Sequence, residues 1–304
     1  MLFILGDKLT RMTMKLETLI TPGWDNYRLI DSGLGRKLER IGGYLIDRPE
    51  PQAMWQPRLS EAEWEKADAI FMGGNNEDES VHGRWQNFGI RDELWETSFD
   101  KINFFGRLTS FRHVGFFPEQ CAHWQWLREH TKPGMKILNL FAYSGVHSLV
   151  AASKGAEVTH VDASKKAITW ARENQDLNDP SWKIRWIVED AIKFVEREVK
   201  RGNTYDGILL DPPKFGRGPN GETWDLFDDL PAHLYDCLKL LKPEKGAFLL
   251  MTSYAIRASA MAFGQLLADM KPAAGLTIET GELFVQEENS ERLLPTSMFT
   301  RAVR

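Results

Sequence analysis

Three aspartates each follow an apolar, strand-like segment in the second half of the chain. Asp162 ends the segment EVTHVD, Asp190 follows IRWIVE, and Asp211 ends GILLD. Because the carboxyl ends of parallel strands meet at one edge of a sheet, where ligands bind, we expect these side chains to lie close together. Asn139, from the earlier segment MKILNLF, would complete a row of four polar residues at that edge.

Carboxylates in such a row can hold a nucleoside. Asp162 can accept hydrogen bonds from both hydroxyl groups of a ribose, or it can cap the helix that starts at Ser164. Asp190 can accept from an adenine amino group while the N–H of Ala191 donates to the ring, or it can cap the helix that follows.

The turn after the first of these strands favours a ligand without phosphates. The turn, LNLFAYSG, ends in Gly145, which lets the backbone approach a ligand at a helix N-terminus, although an ordinary helix start fits as well. The pattern G-x-G-x-x-G of pyrophosphate-binding turns is missing from it. Three carboxylates suit a nucleoside with a cationic group, which points to S-adenosylmethionine as the cofactor and makes a nicotinamide dinucleotide the weaker choice. No metal-ligand cluster accompanies the carboxylates.

The segment Asp211-Pro212-Pro213-Lys214-Phe215 can hold a methyl acceptor. The prolines end the strand, and their fixed backbone would place carbonyl groups where an exocyclic amino group can donate to them. Phe215 can stack on a planar base or plug the loop from below. Lys214 can contact an RNA phosphate or a carboxylate, or lie in solvent.

The two cysteines argue against methylation of cytosine C5, which needs a thiol nucleophile. Cys237 lies on the apolar face of a predicted helix, and Cys121 has no basic neighbour in the sequence. We therefore expect a nitrogen acceptor.

The order of strand-like and helix-like segments along the chain predicts how these residues are positioned. From about residue 120, apolar strands alternate with amphipathic helices, which predicts an α/β fold with a parallel sheet covered on both faces. The last two strands, Leu276–Val285 and Met298–Val303, have no helix between them, so one is predicted to be antiparallel. Residues 1–110 are rich in turns and tryptophan and predict a small, mainly-β N-terminal domain whose tryptophans fill its core. Residues 111–304 form the second predicted domain.

Composition excludes few classes of function. The 304 residues carry a net charge of −5, which gives no support to nonspecific nucleic-acid binding but allows a local basic groove. No apolar run is long enough for a membrane span, and two distant cysteines favour a reducing compartment. We expect a cytoplasmic protein without contact to membranes.

Residues 112–304 resemble the class I S-adenosylmethionine-dependent methyltransferases. The resemblance rests on ILNLFAYSGVHS, HVDASKKAITWARENQDLN and DGILLDPPKF in this order, and it is greatest to the large-subunit ribosomal RNA methyltransferases with a DPPKF motif. It implies a Rossmann-like, seven-stranded, mostly parallel sheet of order 3-2-1-4-5-7-6. The segment GFFPEQ resembles a part of that family in which a glutamine, here Gln120, helps to hold the methionine moiety; Cys121 stands where the family often has arginine.

The resemblance also implies roles for individual residues. Contacts to the methionine moiety are implied for Phe141, Ala142, Tyr143, Ser144 and Gly145. The ribose would lie at Asp162 and Ala163, and the adenine at Asp190 and Ala191. The segment from Asp211 to Phe215 would bridge cofactor and acceptor.

We therefore expect an S-adenosylmethionine-dependent methyltransferase whose substrate is a base of RNA, in particular ribosomal RNA. The alternatives are methylation of a protein side chain or small molecule, a nicotinamide-dependent oxidoreductase, and a non-catalytic protein that binds the cofactor. The sequence leaves the oligomeric state open.

Overall fold

The computed structural model describes residues 14–73, 83–254 and 256–304. The first part of the chain is mainly β, as predicted. Its elements are β1 (Met14–Thr21), β2 (Tyr27–Gly33), β3 (Arg36–Ile41), β4 (Tyr44–Pro49), α1 (Glu61–Trp64), β5 (Ala69–Met72), β6 (Arg84–Asn87), β7 (Trp95–Phe99) and β8 (Ile102–Gly106).

Two small sheets form most of this part. One has five strands in the order β2-β3-β4-β5-β6, and β7 pairs with β8 in a hairpin. The tryptophans fill its cores, as predicted: Trp64 and Trp95 are buried, and Trp24, Trp55 and Trp85 pack against buried apolar residues.

The second part alternates between strands and helices. Its elements are α2 (Cys121–His130), β9 (Lys136–Leu140), α3 (Val146–Ser153), β10 (Glu157–Asp162), α4 (Lys165–Asp176), β11 (Ile184–Val188), α5 (Ala191–Arg201), β12 (Gly207–Leu210), β13 (Phe215–Arg217), β14 (Thr223–Asp225), α6 (Leu226–Leu240), β15 (Phe248–Tyr254), α7 (Ala260–Ala268), β16 (Thr277–Gln286) and β17 (Leu293–Val303). Within the described ranges, none of the helices has the length and apolarity needed to cross a lipid bilayer.

The large sheet confirms the predicted fold class. Its order is β1-β16-β17-β15-β12-β9-β10-β11. Counted from β9 as the first strand, the last seven strands of this row reproduce the order 3-2-1-4-5-7-6. Five neighbouring strands of this sheet run parallel to one another: β15, β12, β9, β10 and β11. Strand β17 is antiparallel to both β15 and β16.

An eighth strand, β1, extends this sheet and was not predicted. It runs parallel to β16, with Glu17 opposite Gly281. A Cβ atom at position 281 would lie 1.7 Å from the carbonyl oxygen of Glu17, so only glycine allows the two backbones to approach this closely. Because β1 precedes the predicted domain boundary at residue 110 and pairs beyond it, the boundary stays a prediction.

Two apolar cores lie on the two faces of the large sheet. Alternate residues of each strand point to opposite faces, so Ile137 packs with α2 and α3, whereas Leu138 packs with α5 and α6. The first core continues into the small sheets through residues such as Tyr27 and Phe104. This shared core fixes the small sheets beside the carboxyl ends of the large sheet's strands.

Candidate functional site

A cavity of about 330 Å³ lies at the carboxyl ends of the parallel strands. Most of the predicted site residues line it: Gln120, Phe141, Tyr143, Asp162, Ala163, Asp190, Ala191, Asp211, Pro212 and Pro213. The lining as described does not include Ala142, Ser144, Gly145, Lys214 or Phe215. The predicted meeting of three strand-end carboxylates at one edge of the sheet is thus observed.

Asp162 holds the first loop of the site in place. Its Oδ2 accepts from the backbone N–H of Tyr143 at 2.8 Å, and its Oδ1 accepts from that of Ser164 at 2.8 Å. It is not the helix cap, because Ser164 caps α4 by accepting from the N–H of Ala167. Burial raises the pKa of Asp162, and these two hydrogen bonds oppose the shift. A carboxylate has about four lone-pair positions, so both oxygens can still accept from a ribose.

Asp190 is the N-cap of α5. Its Oδ1 accepts from the N–H of Lys193 at 3.0 Å, and the side chain is almost fully buried. The capping alternative for Asp190 therefore applies, and it accounts for one of the two carboxylate oxygens. Since Ala191 also lines the cavity, the position is compatible with a cap and a ligand contact together.

The loop between β9 and α3 has an unusual backbone. Phe141 and Tyr143 adopt left-handed conformations with φ of +53° and +47°, and Gly145 follows with φ of +86°. Left-handed backbone is costly for residues other than glycine and persists where the surroundings impose it, often at functional sites. Here Asp162 binds the N–H of Tyr143, and Ser144 Oγ donates to the carbonyl of Gly115.

Gln120 joins Asp211 to the floor of the cavity. Its Nε2 donates to Asp211 Oδ2 at 3.3 Å, and its Oε1 accepts from Thr252 Oγ1 at 3.1 Å. His123 Nδ1 lies 2.9 Å from the same Oε1, and burial holds the pKa of this histidine well below its usual value. The amide of Gln120 is therefore fixed in one orientation, with its nitrogen toward the carboxylate.

A hairpin of β13 and β14 follows Pro213. The indole Nε1 of Trp224 donates to the carbonyl of Pro213 at 2.7 Å. One of the two lone pairs of a carbonyl expected to receive an amino group is therefore already used. The hairpin leaves Phe215 62% exposed, so the alternative in which it plugs the loop from below does not apply. Lys214 is exposed beside it.

Asn139 lies beneath the site and does not line it. Its side chain is buried, and Nδ2 donates to Ser148 Oγ at 2.9 Å. The same Oγ lies 3.0 Å from Nδ1 of His160. Strand β9 continues to Leu140, so Asn139 lies within the strand, and its side chain points to the face covered by α3.

Several residues of the lining carry no strong signal in the sequence. They are His113, Phe117, Glu119, Ser164, Gly216, Arg217, Gly218, Trp224, Thr252, Tyr254 and Ser297. An aromatic row connects some of them, since His113, Phe117 and Tyr143 contact one another and Phe117 contacts Tyr254. Burial and the charges of Arg48 and Arg112 lower the pKa of His113 to about 3, so its ring is neutral at pH 7.

The charges of the lining suit a cationic nucleoside. Four carboxyl groups belong to it, those of Glu119, Asp162, Asp190 and Asp211, whereas Arg217 is its one permanently charged cation among the described residues. Burial raises the pKa of both Glu119 and Asp162. A cation among these groups would be attracted by them, and a pyrophosphate would be repelled. The residues present thus fit S-adenosylmethionine, with its sulfonium and its ribose.

Comparison with known proteins agrees with this geometry. The model of the family described as "Conserved hypothetical protein 95" matches residues 120–222. The crystal structure of an S-adenosylmethionine-dependent methyltransferase from Agrobacterium tumefaciens shares 46% sequence identity, covers 99% of both chains and superposes with a TM-score of 0.89. A putative methyltransferase from Streptococcus mutans, with 16% identity and a TM-score of 0.70 over 91% of this chain and 75% of its own, shares the fold.

Two ribosomal RNA methyltransferases from curated proteins match this chain over a shorter part of its sequence. A putative ribosomal RNA large subunit methyltransferase of Methanocaldococcus jannaschii is 37% identical over 118 residues, which are 38% of this chain and 29% of that protein. The ribosomal RNA large subunit methyltransferase K/L of Pseudoalteromonas atlantica is 32% identical over 53% of this chain and 22% of its own length. The chain thus spans less than a third of these two relatives. Its full-length likeness is to the Agrobacterium enzyme, and the chain therefore belongs to the S-adenosylmethionine-dependent methyltransferases, enzymes that use S-adenosylmethionine as their cofactor.

Proposed function

We propose that the chain methylates a base of RNA, within the large-subunit ribosomal RNA, at a nitrogen atom. The observation that carries this proposal is the exposed ring of Phe215 beside Lys214, directly after the Asp-Pro-Pro segment that lines the cofactor cavity. An exposed ring next to a cation is the combination that binds an unstacked base and its phosphate. The names of the curated relatives support the choice of ribosomal RNA.

For the cofactor we propose the residues that the sequence suggested. Asp162 and Ala163 hold the ribose, and Asp190 and Ala191 hold the adenine. The backbone from Phe141 to Gly145 shapes the space for the methionine moiety, with Ala142, Ser144 and Gly145 acting through the conformation of the loop. Gln120 contributes by fixing the carboxylate of Asp211.

The chain's own task in the reaction is alignment. S-adenosylmethionine supplies a methyl group bound to a cationic sulfur. Because Trp224 already donates to the carbonyl of Pro213, we assign the acceptance of the substrate's amino hydrogens to the carbonyl of Pro212 and the side chain of Asp211. Holding the amino group there directs its lone pair at the methyl group, and stacking on Phe215 keeps the base in plane.

The cysteines favour nitrogen over cytosine C5. Cys121 and Cys237 are buried, and neither belongs to the cavity lining in the described part of the chain. Burial raises the pKa of the Cys121 thiol to about 12 and raises that of Cys237 as well. Neither sulfur can act as the thiolate that carbon methylation requires.

Transfer of labelled methyl groups tests the proposed substrate. The purified protein is incubated with methyl-labelled S-adenosylmethionine and an extract of cells that lack its gene, and the label is then divided among RNA, protein and small molecules. We expect nuclease-sensitive label in RNA. Label confined to protein or small molecules would overturn the RNA assignment and leave the enzyme class intact.

Two variants sharpen this experiment. Phe215→Ala should raise the KM for RNA about tenfold, the order of one base stack, while calorimetry shows unchanged cofactor affinity. The matched control is Phe88→Ala, which removes an equally exposed ring from the small-sheet region. Cys237→Ala should retain methyl transfer, and its complete loss in a folded protein would favour carbon chemistry.

A further inference from the structure

A second cavity, of about 450 Å³, lies directly beside the first. The two share Tyr254 and Ser297 in their walls. One side of the second cavity comes from the segment after β4, which includes Gln52 and Trp55. The other side comes from Arg112, the end of β15 with the residues after it, Glu282 of β16, and β17. Both the small sheets and the large sheet thus build it, whereas the large-sheet half supplies nearly all of the cofactor cavity.

A hydrogen bond between the two halves closes one side of this cavity. Gln52 Nε2 donates to the carbonyl of Thr296 at 3.0 Å, and both residues line the cavity. The Arg48 guanidinium also reaches across to the carbonyl of Arg112. The space therefore has fixed walls before any ligand arrives, which reduces the cost of ordering them on binding.

Two half-buried aromatic rings line the cavity. Trp55 is held by its indole Nε1, which donates to the carbonyl of Ser32 at 3.0 Å, and Arg292 lies over its ring at 5.6 Å. The ring of Tyr254 lies beneath the guanidinium of Arg112, 5.6 Å away. Planar rings in a wall suit planar ligands, because every nucleobase has a face that stacks on them.

Two cations accompany the rings. Arg257 is exposed at the rim, and Arg112 lies deeper, where its Nη2 donates to the hydroxyl of Tyr254. The other terminal nitrogen of Arg112, Nη1, is buried and has no hydrogen-bond partner among the described residues. Guanidinium groups bind phosphate oxygens with paired donors, and a buried donor without a partner is costly.

We propose that the second cavity binds the nucleotide next to the methylated one in an unpaired stretch of RNA. Its base stacks on Trp55, and its phosphate is bound by Arg112 and Arg257. This inference rests on the proposed RNA substrate. It gives the small-sheet region a direct part in substrate binding, since Trp55 belongs to it.

The test uses synthetic RNA that contains the mapped methylation site. Position by position, the neighbours of the target nucleotide are replaced by abasic nucleotides, and each RNA is assayed with the wild-type enzyme and with Trp55→Leu. One abasic neighbour should raise the KM about tenfold with wild type, with kcat changed less than twofold. With Trp55→Leu, the same abasic neighbour should raise the KM less than threefold, because this variant already lacks the ring on which the missing base would stack.

Arg257→Ala provides a second variant at an exposed position, in case Trp55→Leu does not fold. It should raise the KM for RNA severalfold and leave the Kd for S-adenosylmethionine unchanged. Arg185→Ala is the matched control, since Arg185 is exposed at the opposite end of the sheet.

The outcomes separate the two proposals. In one outcome RNA is methylated, but each abasic neighbour raises the KM equally for wild type and Trp55→Leu, or Arg257→Ala has the same KM as Arg185→Ala. The second cavity is then not a nucleotide site, and the proposed function stands. If the wild-type enzyme labels protein or small molecules and no RNA, the proposed function fails and the nucleotide site fails with it.

Discussion

Two sets of carboxylates have different kinds of partner, one set in the small-sheet region and one at the strand ends of the large sheet. In the small-sheet region, Glu39 accepts from Arg48 and from the hydroxyl of Tyr27, and Glu50 accepts from Lys37. Glu39, Arg48, Lys37 and Glu50 are all buried. In the large sheet, Asp162 and Asp190 accept mainly from backbone N–H groups at the start of helices.

The kind of partner decides whether the charge of a carboxylate remains available to a ligand. A guanidinium neutralises a carboxylate and occupies its oxygens, so the pair serves to fix the chain in one conformation. Although burial alone would raise it, the charges of Arg48 and Lys37 hold the pKa of Glu39 below its usual value. A backbone N–H holds a carboxylate in place without cancelling its charge, so that charge remains for a ligand.

The largest expected effect comes from breaking a pair in the small-sheet region. Glu39→Ala leaves Arg48 buried without its partner and should lower the free energy of unfolding by about 3–5 kcal/mol. Urea unfolding measures the change, with Glu61→Ala, an exposed and weakly paired position, as the control. A loss no greater than that of the control would mean that the pair is not structural.

Asp211→Ala should affect methyl transfer and not stability. The variant should keep its stability and lose about 10²–10³-fold in methyl transfer, because the group that aligns the acceptor is gone. Rates at saturating cofactor and thermal unfolding are the two measurements, and Asp269→Asn, exposed and outside the cavity, is the control. Normal turnover in Asp211→Ala would remove this residue from the reaction.

Asp162→Ala should act on cofactor affinity. Loss of a charged acceptor for the ribose, together with a looser Tyr143 loop, should weaken S-adenosylmethionine binding by about 10–100-fold, from the usual 1.5–3 kcal/mol of such hydrogen bonds. Isothermal titration calorimetry measures it. Asp190→Asn, which preserves a good N-cap, should lose less. Equal affinity in wild type and Asp162→Ala would contradict the ribose assignment.

Per pH unit and per histidine, the smallest effect concerns acid, and it arises in the large-sheet half. Burial lowers the pKa of His160 to about 3 and that of His147 to about 4. Both lie in the large-sheet half. Below pH 6.5 the unfolded chain binds protons at these rings while the folded chain does not, so stability falls as the pH drops from about 6.5 toward 4, by up to about 1.4 kcal/mol per pH unit for each histidine.

Urea unfolding between pH 4.5 and 7 checks this prediction. His160→Gln should reduce the slope of unfolding free energy against pH by about one proton relative to wild type. Parallel slopes for the two proteins would show that His160 takes no part in the acid response.

The sequence predicts the second half of the fold closely because its signals are local. Long apolar strands alternate with amphipathic helices, and the structure shows this alternation from β9 to α6, with the hairpin of β13 and β14 as an unpredicted addition. The strand-end aspartates follow from the same pattern. Asn139 shows the limit, since its side chain points to the face covered by α3 and not into the cavity.

Other parts of the site depend on contacts distant in sequence. Thr252 and Trp224 gain their positions from Gln120 and the carbonyl of Pro213, and neither pairing has a local pattern. The same holds for β1, a strand of eight residues with polar residues between apolar ones, whose partner is close to the other end of the sequence. Gly281 was the available hint, because glycine within a strand often marks a close backbone approach.

The place of β1 in the sheet sets an order of events during synthesis. A ribosome releases Met14–Thr21 long before Thr277–Gln286, and at about 5–20 residues per second the delay is tens of seconds. Throughout that time β1 has no partner strand among the described residues, and Met14 and Leu19, which are partly buried in the folded protein, remain in water. The nascent chain can pair β9, β10 and β12 soon after they leave the ribosome. The first described strand, β1, can pair only after β16, one of the last, has been made.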